Sequence, residues 1–288
     1  MTPGKVYKQG WSPDDIPWRD FDASKAEPWL VDVVKASALV EYNAREYVAY
    51  LKRVFPEAEM APVIEQWGRE ETQHGRVLGR WAELADPAFK LEDAVARFRA
   101  GYKPAHFAKA DTASVRGSRR GEMIARCVVE SGTSSYYTAV KEATAEPVLQ
   151  EIAGRVAADE FRHYKLFYDT HKAQRETALP LWKRLAIAFG RIAESDDDEF
   201  AYAYYCAAVP PEQESRRPYV RAEYSRKLFA LTLHVYRRHH IRKLAQMVAK
   251  AVGTDPHGLL ARLAGTLVWW MIRLRAGGPA GRAGETAA

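Results

Sequence analysis

Cysteine is nearly absent: Cys127 and Cys206 are the only two in 288 residues. Two thiols cannot build a disulfide framework, so a reducing compartment is the expectation and the cytoplasm the predicted location. Long apolar runs are lacking as well. The opening stretch MTPGKVYKQGWSPDDIPW has no apolar core of the signal-peptide kind. LAGTLVWWMI at 263–272 falls well short of the ~18 residues a membrane span needs and is flanked by arginines, so no integral span is expected. Proline and glycine gather in a few loops, which suits an all-helical chain. The net charge of +6 permits an acidic partner, such as a carrier or electron-transfer protein, and would permit nucleic acid equally. The arginines are scattered, however, which describes a solvated surface, and no nucleic-acid partner is expected.

What is present is a spacing. WGREETQHG carries Glu71 and His74, and AADEFRH carries Glu160 and His163. At i, i+3 on a helix, two side chains stand one turn apart on one face and can reach a common metal ion. One Glu-x-x-His pair is commonplace, but here each has a further glutamate 30 residues upstream, Glu41 and Glu130, and the two triplets are offset by 89 residues throughout. A helix running up from Glu41 to about Phe55, a turn at FPEAEM and a return from Ala61 bring Glu41 and Glu71 to one height, at ~1.5 Å per residue. Glu130 and Glu160 repeat this around TAEP. Four glutamates and two histidines then meet inside four helices, the constellation of di-iron and di-manganese carboxylate sites.

Along the chain, residues 1–27 read as an arm pinned by Trp11, Trp18 and Phe21. Helices are expected over about 28–55, 61–85, 120–144 and 147–173. The long 86–119 connection, with a short helix at LEDAVARFRA and a basic loop at SVRGSRRG, makes the expected fold all-α and ferritin-like: a four-helix bundle over 28–174 with one long crossover between its second and third helices. Further helices are expected over 175–276: LWKRLAIAFGRIAE, one long pattern from Tyr219 to Val252, and a last from Pro256 to about Ala276, packed on the bundle. SDDDE suits a helix N-terminus. Residues 277–288 read as a disordered tail.

Four carboxylates in a core repel one another and are costly to desolvate unless cations neutralise them. Two divalent ions balance four Glu⁻, with both histidines neutral, and oxygen-rich coordination with one imidazole per metal suits Fe or Mn better than Zn. Two Fe ions are the expected cofactor, with Mn the alternative. Glu46 also lies in the first helix, but its height does not match. Glu70 and Asp159 sit about 100° round the helix from the ligands. Asp159 pairs with His74 and Glu70 with His163 if they accept the spare ring N–H across the bundle, and otherwise they face solvent. Thr133, one turn beyond Glu130, either offers a hydroxyl beside the metals as a catalytic proton relay or packs a helix. Tyr47 and Tyr136 each follow a ligand glutamate by six residues, as neighbours of the site or as plain core.

WGREETQHG and AADEFRH, with Glu130–Thr133 as an ExxT, resemble the signatures of acyl-acyl-carrier-protein desaturases in the ferritin-like di-iron superfamily. The likeness spans roughly residues 28–173 and is carried by the motifs. It implies metal ligands at Glu41, Glu71, His74, Glu130, Glu160 and His163 and an oxygen-side threonine at Thr133. The implied function is a di-iron, O2-activating oxidoreductase that takes hydrogen from an organic, lipid or acyl-type substrate. An external, ferredoxin-like donor would supply electrons. Pairing through helices, common in that superfamily, makes a homodimer the expected assembly. The related N-oxygenases carry an added histidine before the last pair, and residues 153–159 hold none.

Two other readings stand beside this one. A ferroxidase or rubrerythrin-like peroxidase would use the same ligands, although no CxxC pair of the rubredoxin type is present. A non-enzymatic basic module would instead use SVRGSRRG, YRRHHIRK and LVWWMIRLR at a membrane or nucleic acid.

Overall fold

The computed structural model describes residues 10–102, 113–194 and 198–276. Among these residues the chain is helical and has no strand. The helices are α1 (Pro28–Tyr42), α2 (Arg45–Val54), α3 (Ala61–Ala85), α4 (Leu91–Gly101), α5 (Arg119–Ala143), α6 (Pro147–Ala173), α7 (Leu181–Ala193), α8 (Asp198–Ala208), α9 (Arg221–Val235), α10 (Arg238–Ala251) and α11 (Leu259–Ala276). No described helix is long and apolar enough to cross a membrane. The predicted tail at 277–288, the start of the arm at 1–9 and most of the SDDDE run lie outside the described residues.

Local chemistry sets the boundaries of the site-bearing helices. Proline stands in the first turn of α3 and α6, where its missing N–H costs nothing. Asp86 ends α3 before Pro87, and Lys35 binds its carboxylate at 2.7 Å. Ser118 caps α5 by accepting from Gly121 N at 3.0 Å. Glu146 caps α6 from within the core: it accepts from Leu149 N at 2.7 Å, Trp81 Nε1 at 2.6 Å and Asp22 N at 3.1 Å. The short Thr144–Glu146 link makes α5 and α6 antiparallel neighbours.

The sequence predicts one helix over about 28–55, and the structure breaks it directly after Tyr42. Asn43 and Ala44 form a turn, with N–H groups bonded three residues back, to Val40 O and Glu41 O. The cause lies in distant segments. Arg99 of α4 donates to Tyr42 O (3.0 Å) and Asn43 Oδ1 (3.2 Å), satisfying carbonyl groups at the helix end. Gly75 of α3 also presses on Tyr42: a Cβ there would stand 2.5 Å from Tyr42 N and 2.7 Å from its Cα. This close approach brings Glu41 and His74, the residues immediately before Tyr42 and Gly75, across to one another.

A second correction concerns 219–252, predicted as one helical pattern. The structure interrupts it at Tyr236 and Arg237, both with extended backbone. Arg237 N donates to His240 Nδ1 at 2.9 Å, a side-chain cap that starts α10 afresh.

α1 packs on α3, α5 on α6, and α3 on α6, while α7, α9 and α10 pack on α5 and α8 covers α1. The C-terminal helices therefore enclose one side of the carboxylate-bearing set. α11 packs on α10 with Ala261 turned inward and leaves Leu263, Leu267, Trp270 and Leu274 exposed. The arm crosses the opposite side: Trp11 is buried, Arg80 covers the Trp18 ring and Phe21 meets Trp81 edge-on.

Gly75→Ala should push α1 from α3 and cost ~1–3 kcal/mol of stability, because the atoms it meets are backbone and cannot rotate away. Urea denaturation checks this, and an unchanged midpoint would contradict the close approach.

Candidate metal centre

Glu41 comes from α1, Glu71 and His74 from α3, Glu130 from α5, and Glu160 and His163 from α6. The structure brings all six together and buries each of them. They form two overlapping sets: Glu41, Glu71, His74 and Glu160 offer ligand atoms around one point, and Glu71, Glu130, Glu160 and His163 around another. Glu71 and Glu160 belong to both, as carboxylates that bridge two cations would. The two sets could each hold a metal ion.

The fit shows in buried atoms that lack an aligned hydrogen bond. Glu71 Oε1, His74 Nδ1, Glu160 Oε1 and His163 Nδ1 are buried with no hydrogen bond. His74 Nδ1 lies 3.2 Å from Glu160 Oε1 and His163 Nδ1 lies 3.0 Å from Glu71 Oε1, close but not aligned for hydrogen bonding. Unpaired buried polar atoms are rare and costly. Here four of them lie within the two ligand sets, where cations would give them partners.

The far side of each ring is held. His74 Nε2 meets Asp159 Oδ2 at 3.1 Å and His163 Nε2 meets Glu70 Oε2 at 2.8 Å. A carboxylate on Nε2 keeps a proton there, so that the neutral ring that would hold a metal turns its Nδ1 lone pair inward. The acids are themselves fixed: Trp11 Nε1 donates to Asp159 Oδ2 (2.9 Å), Gln66 to Glu70 Oε1 (3.1 Å), and Arg162 lies against both acids. Trp11 also stacks over His74, with the rings 8° from parallel.

In the metal-free protein, protons supply the missing positive charge. Burial and repulsion from Glu71 and Glu160 hold Glu41 well above the usual carboxylate range, and burial with Glu160 and Glu71 does the same to Glu130. Burial alone would depress His74, but the Asp159 hydrogen bond and the neighbouring glutamates outweigh it and raise it to about 9. His163 is likewise raised, against burial, by Glu160, Glu70 and Glu71. Glu160 is pulled low, again against burial, by the two imidazoles.

Thr133 Oγ1 donates to Glu160 Oε2 at 2.6 Å. The two tyrosines singled out from the sequence both line the cavity beside the cluster but bond outside it: Tyr47 donates to Glu199 (2.5 Å) and Tyr136 shares a hydrogen bond with Ser37 (2.9 Å). The phenol that reaches a cluster carboxylate is Tyr137, which donates to Glu41 Oε1 at 2.6 Å. Neighbours in sequence, Tyr136 and Tyr137 differ by about 100° around α5, and the position of α1 decides which of them meets Glu41. Trp11 was legible as an anchor but not as a partner of Asp159, because its arm carries no periodicity that fixes its path.

A cavity of about 370 Å³ opens beside the cluster. Glu41, Glu71, Glu130, Glu160 and Thr133 line it on one side, and Phe200, Leu228, Phe229 and Leu233 of α8 and α9 on another. A separate depression over Glu65, Arg69 and Arg76 on α3 touches none of the six. Glu142, His239 and His240 also gather near the surface. There His240 Nδ1 already accepts from Arg237 N, which puts the ring proton on Nε2, 3.3 Å from Glu142, and leaves no lone pair for a metal. No family model matches the chain, and no curated protein matches it.

The proton-loaded histidines give a testable pH dependence. His74 binds its proton more tightly when folded (about 9) than when unfolded (~6.5). Its stabilisation is therefore complete below pH ~6.5 and lost as pH rises through about 9. Glu41, Glu130 and His163, all raised, act in the same direction. Thermal melts of metal-free protein should fall across that window. Divalent metal should remove the fall, because it replaces the protons. A flat metal-free profile would contradict the assigned charge balance.

Proposed function

We propose that this chain is a di-iron, O2-activating oxidoreductase of the ferritin-like kind, acting on an organic and largely apolar substrate. One observation carries the reading: two four-ligand sets sharing two glutamates open onto an apolar cavity roofed by the C-terminal helices. Four carboxylates with one imidazole per site favour Fe or Mn over Zn. Glu41, Glu71, His74 and Glu160 would hold one ion and Glu71, Glu130, His163 and Glu160 the other. Bound reduced iron supplies the oxygen activation and the oxidising power for attack on a C–H bond.

The protein's own contribution is position, dryness and proton control. Asp159 and Glu70 orient the two imidazoles, and Arg162 holds both acids in place. Tyr137 fixes one oxygen of Glu41. Phe200, Leu228 and Phe229 keep water from the face where substrate lies. The Thr133 hydroxyl sits in the cavity wall and donates to Glu160 Oε2, so Oγ1 would relay a proton by giving one into the cavity as it takes another from Glu160 once that carboxyl is protonated. Two external electrons come from a donor protein, for which an acidic ferredoxin-like surface complements the +6 charge.

A ferroxidase or rubrerythrin-like peroxidase needs no apolar chamber, since iron or peroxide is its substrate. A basic surface module needs no buried carboxylates. The exposed apolar face of α11 suits a surface contact, and it leaves the buried cluster unaccounted for.

The reading is tested by mixing anaerobic, Fe(II)-loaded protein with O2 in a stopped-flow absorbance experiment. Rapid oxidation of the bound iron is expected, and iron indifferent to oxygen would contradict the proposal. Thr133→Val should keep its metal content and slow oxygen-dependent turnover by ~10²-fold. An unchanged rate would remove Thr133 from the proton path.

A further inference from the structure

The chain's positive surplus, expected to be scattered, is concentrated in its last two helices. Residues 238–276, which form α10, α11 and the turn between them, hold seven arginines and lysines against one acid, Asp255. They carry the whole net charge of +6. Asp255 is turned to its own backbone, where it accepts from His257 N at 2.9 Å. Arg237, just before α10, lies 3.5 Å from Glu142. Among the described residues, by contrast, Arg242, Arg262 and Arg273 have no ion-pair partner, and all three are exposed.

α11 also reverses the usual amphipathic order. Its small residues meet the protein: Ala261 and Gly265 are buried, and a Cβ at Gly265 would stand 3.3 Å from Ala245 Cβ and 3.7 Å from Arg242 Cα of α10. Its large residues face out. Leu260, Leu263, Leu267, Trp270 and Leu274 follow at alternating steps of three and four, which is one face of a helix, and each is at least half exposed. A continuous apolar face of this kind marks a contact surface. The helix is not long and apolar enough to cross a membrane.

Charge selects what covers that face. A second copy would set the same surplus against itself, cation meeting cation. Residues 277–288 hold no large apolar side chain to fold back over it. A nucleic acid would take the cations and leave the leucines and tryptophan in water. An anionic bilayer takes both, phosphates at the guanidinium groups and acyl chains at the apolar side chains. We propose that α11 lies in the surface of an anionic lipid bilayer, with Leu263, Leu267, Trp270 and Leu274 at the acyl boundary and Arg242, Arg262 and Arg273 at the headgroups. This docking does not depend on the metal centre. α9, which lines the cavity with Leu228, Phe229 and Leu233, packs on α11. Given the proposed function, an apolar substrate dissolved in that bilayer would lie beside the helix that walls the chamber.

Co-sedimentation of the full chain with vesicles tests it, using phosphatidylcholine alone and phosphatidylcholine mixed with anionic phosphatidylglycerol. Binding to the mixed vesicles should be at least ~10-fold the tighter and should weaken as salt is raised. Leu263→Ser with Leu267→Ser should lower it by ~10-fold or more. Both leucines are exposed, so the pair leaves the core untouched. Arg262→Gln with Arg273→Gln should cut the anionic preference roughly tenfold. Leu84→Ser, at an exposed leucine of α3, should change nothing. Neither pair should alter oxidation of bound iron by O2, so docking and the di-metal reading fail separately. No vesicle binding, equal binding to both vesicles, or a preference that survives the arginine pair would overturn the proposal. Binding that needs the arginines but survives the leucine pair would overturn it too, and would assign the face to a polyanion such as nucleic acid. A dimer in lipid-free sedimentation equilibrium that the leucine pair dissolves would assign the face to a second copy, against the proposal.

Discussion

Four glutamates are packed into one core with two histidines as their nearest cations, and the rest of the molecule is arranged around that charge. Carboxylates desolvated together cannot all stay ionised unless positive charge joins them. In the metal-free chain protons do so, raising Glu41, Glu130 and both imidazoles. Two divalent cations would do so without protons and would fill the four buried atoms that lack hydrogen bonds. The outer layer serves the same end. Asp159 and Glu70 turn the imidazole lone pairs inward, and Trp11, Gln66 and Arg162 keep those acids from turning away.

That centre was legible in the sequence because helical geometry is periodic and local. Glu71 with His74, and Glu160 with His163, need only an i, i+3 spacing, and a 30-residue hairpin adds a glutamate to each pair. Glu70 and Asp159 follow from the same spacing, one residue away and turned to the opposite half. Where the chain departs from this reading, contacts distant in sequence decide. The break after Tyr42 depends on Arg99 in α4 and on the close face of Gly75, neither of which periodicity near residue 43 reveals. The choice of Tyr137 over Tyr136 depends on where α1 sits across from α5. The restart at α10 rests on His240 capping Arg237, a signal present in the sequence but unlike the usual Ser, Thr, Asp or Asn.

The cavity was the least legible feature. Its walls come from α1, α2, α3, α5, α6 and the C-terminal helices, and its volume is what remains after they pack. The sequence shows that helices follow residue 175, not that Phe200 and Leu228 face Glu130. Their position makes the C-terminal helices part of the wall that faces the carboxylates. Arg191 reaches the lining only because α7 packs on α5 beside Arg126.

The central claim is that two cations share Glu71 and Glu160 between the two histidines. Anomalous diffraction at the iron edge, on crystals loaded with Fe(II) without oxygen, addresses it directly. Two peaks about 3.5–4 Å apart, one beside His74 Nδ1 and one beside His163 Nδ1, are the predicted result. A single peak, or metal bound at Glu142 and His239 with none between the histidines, would contradict it.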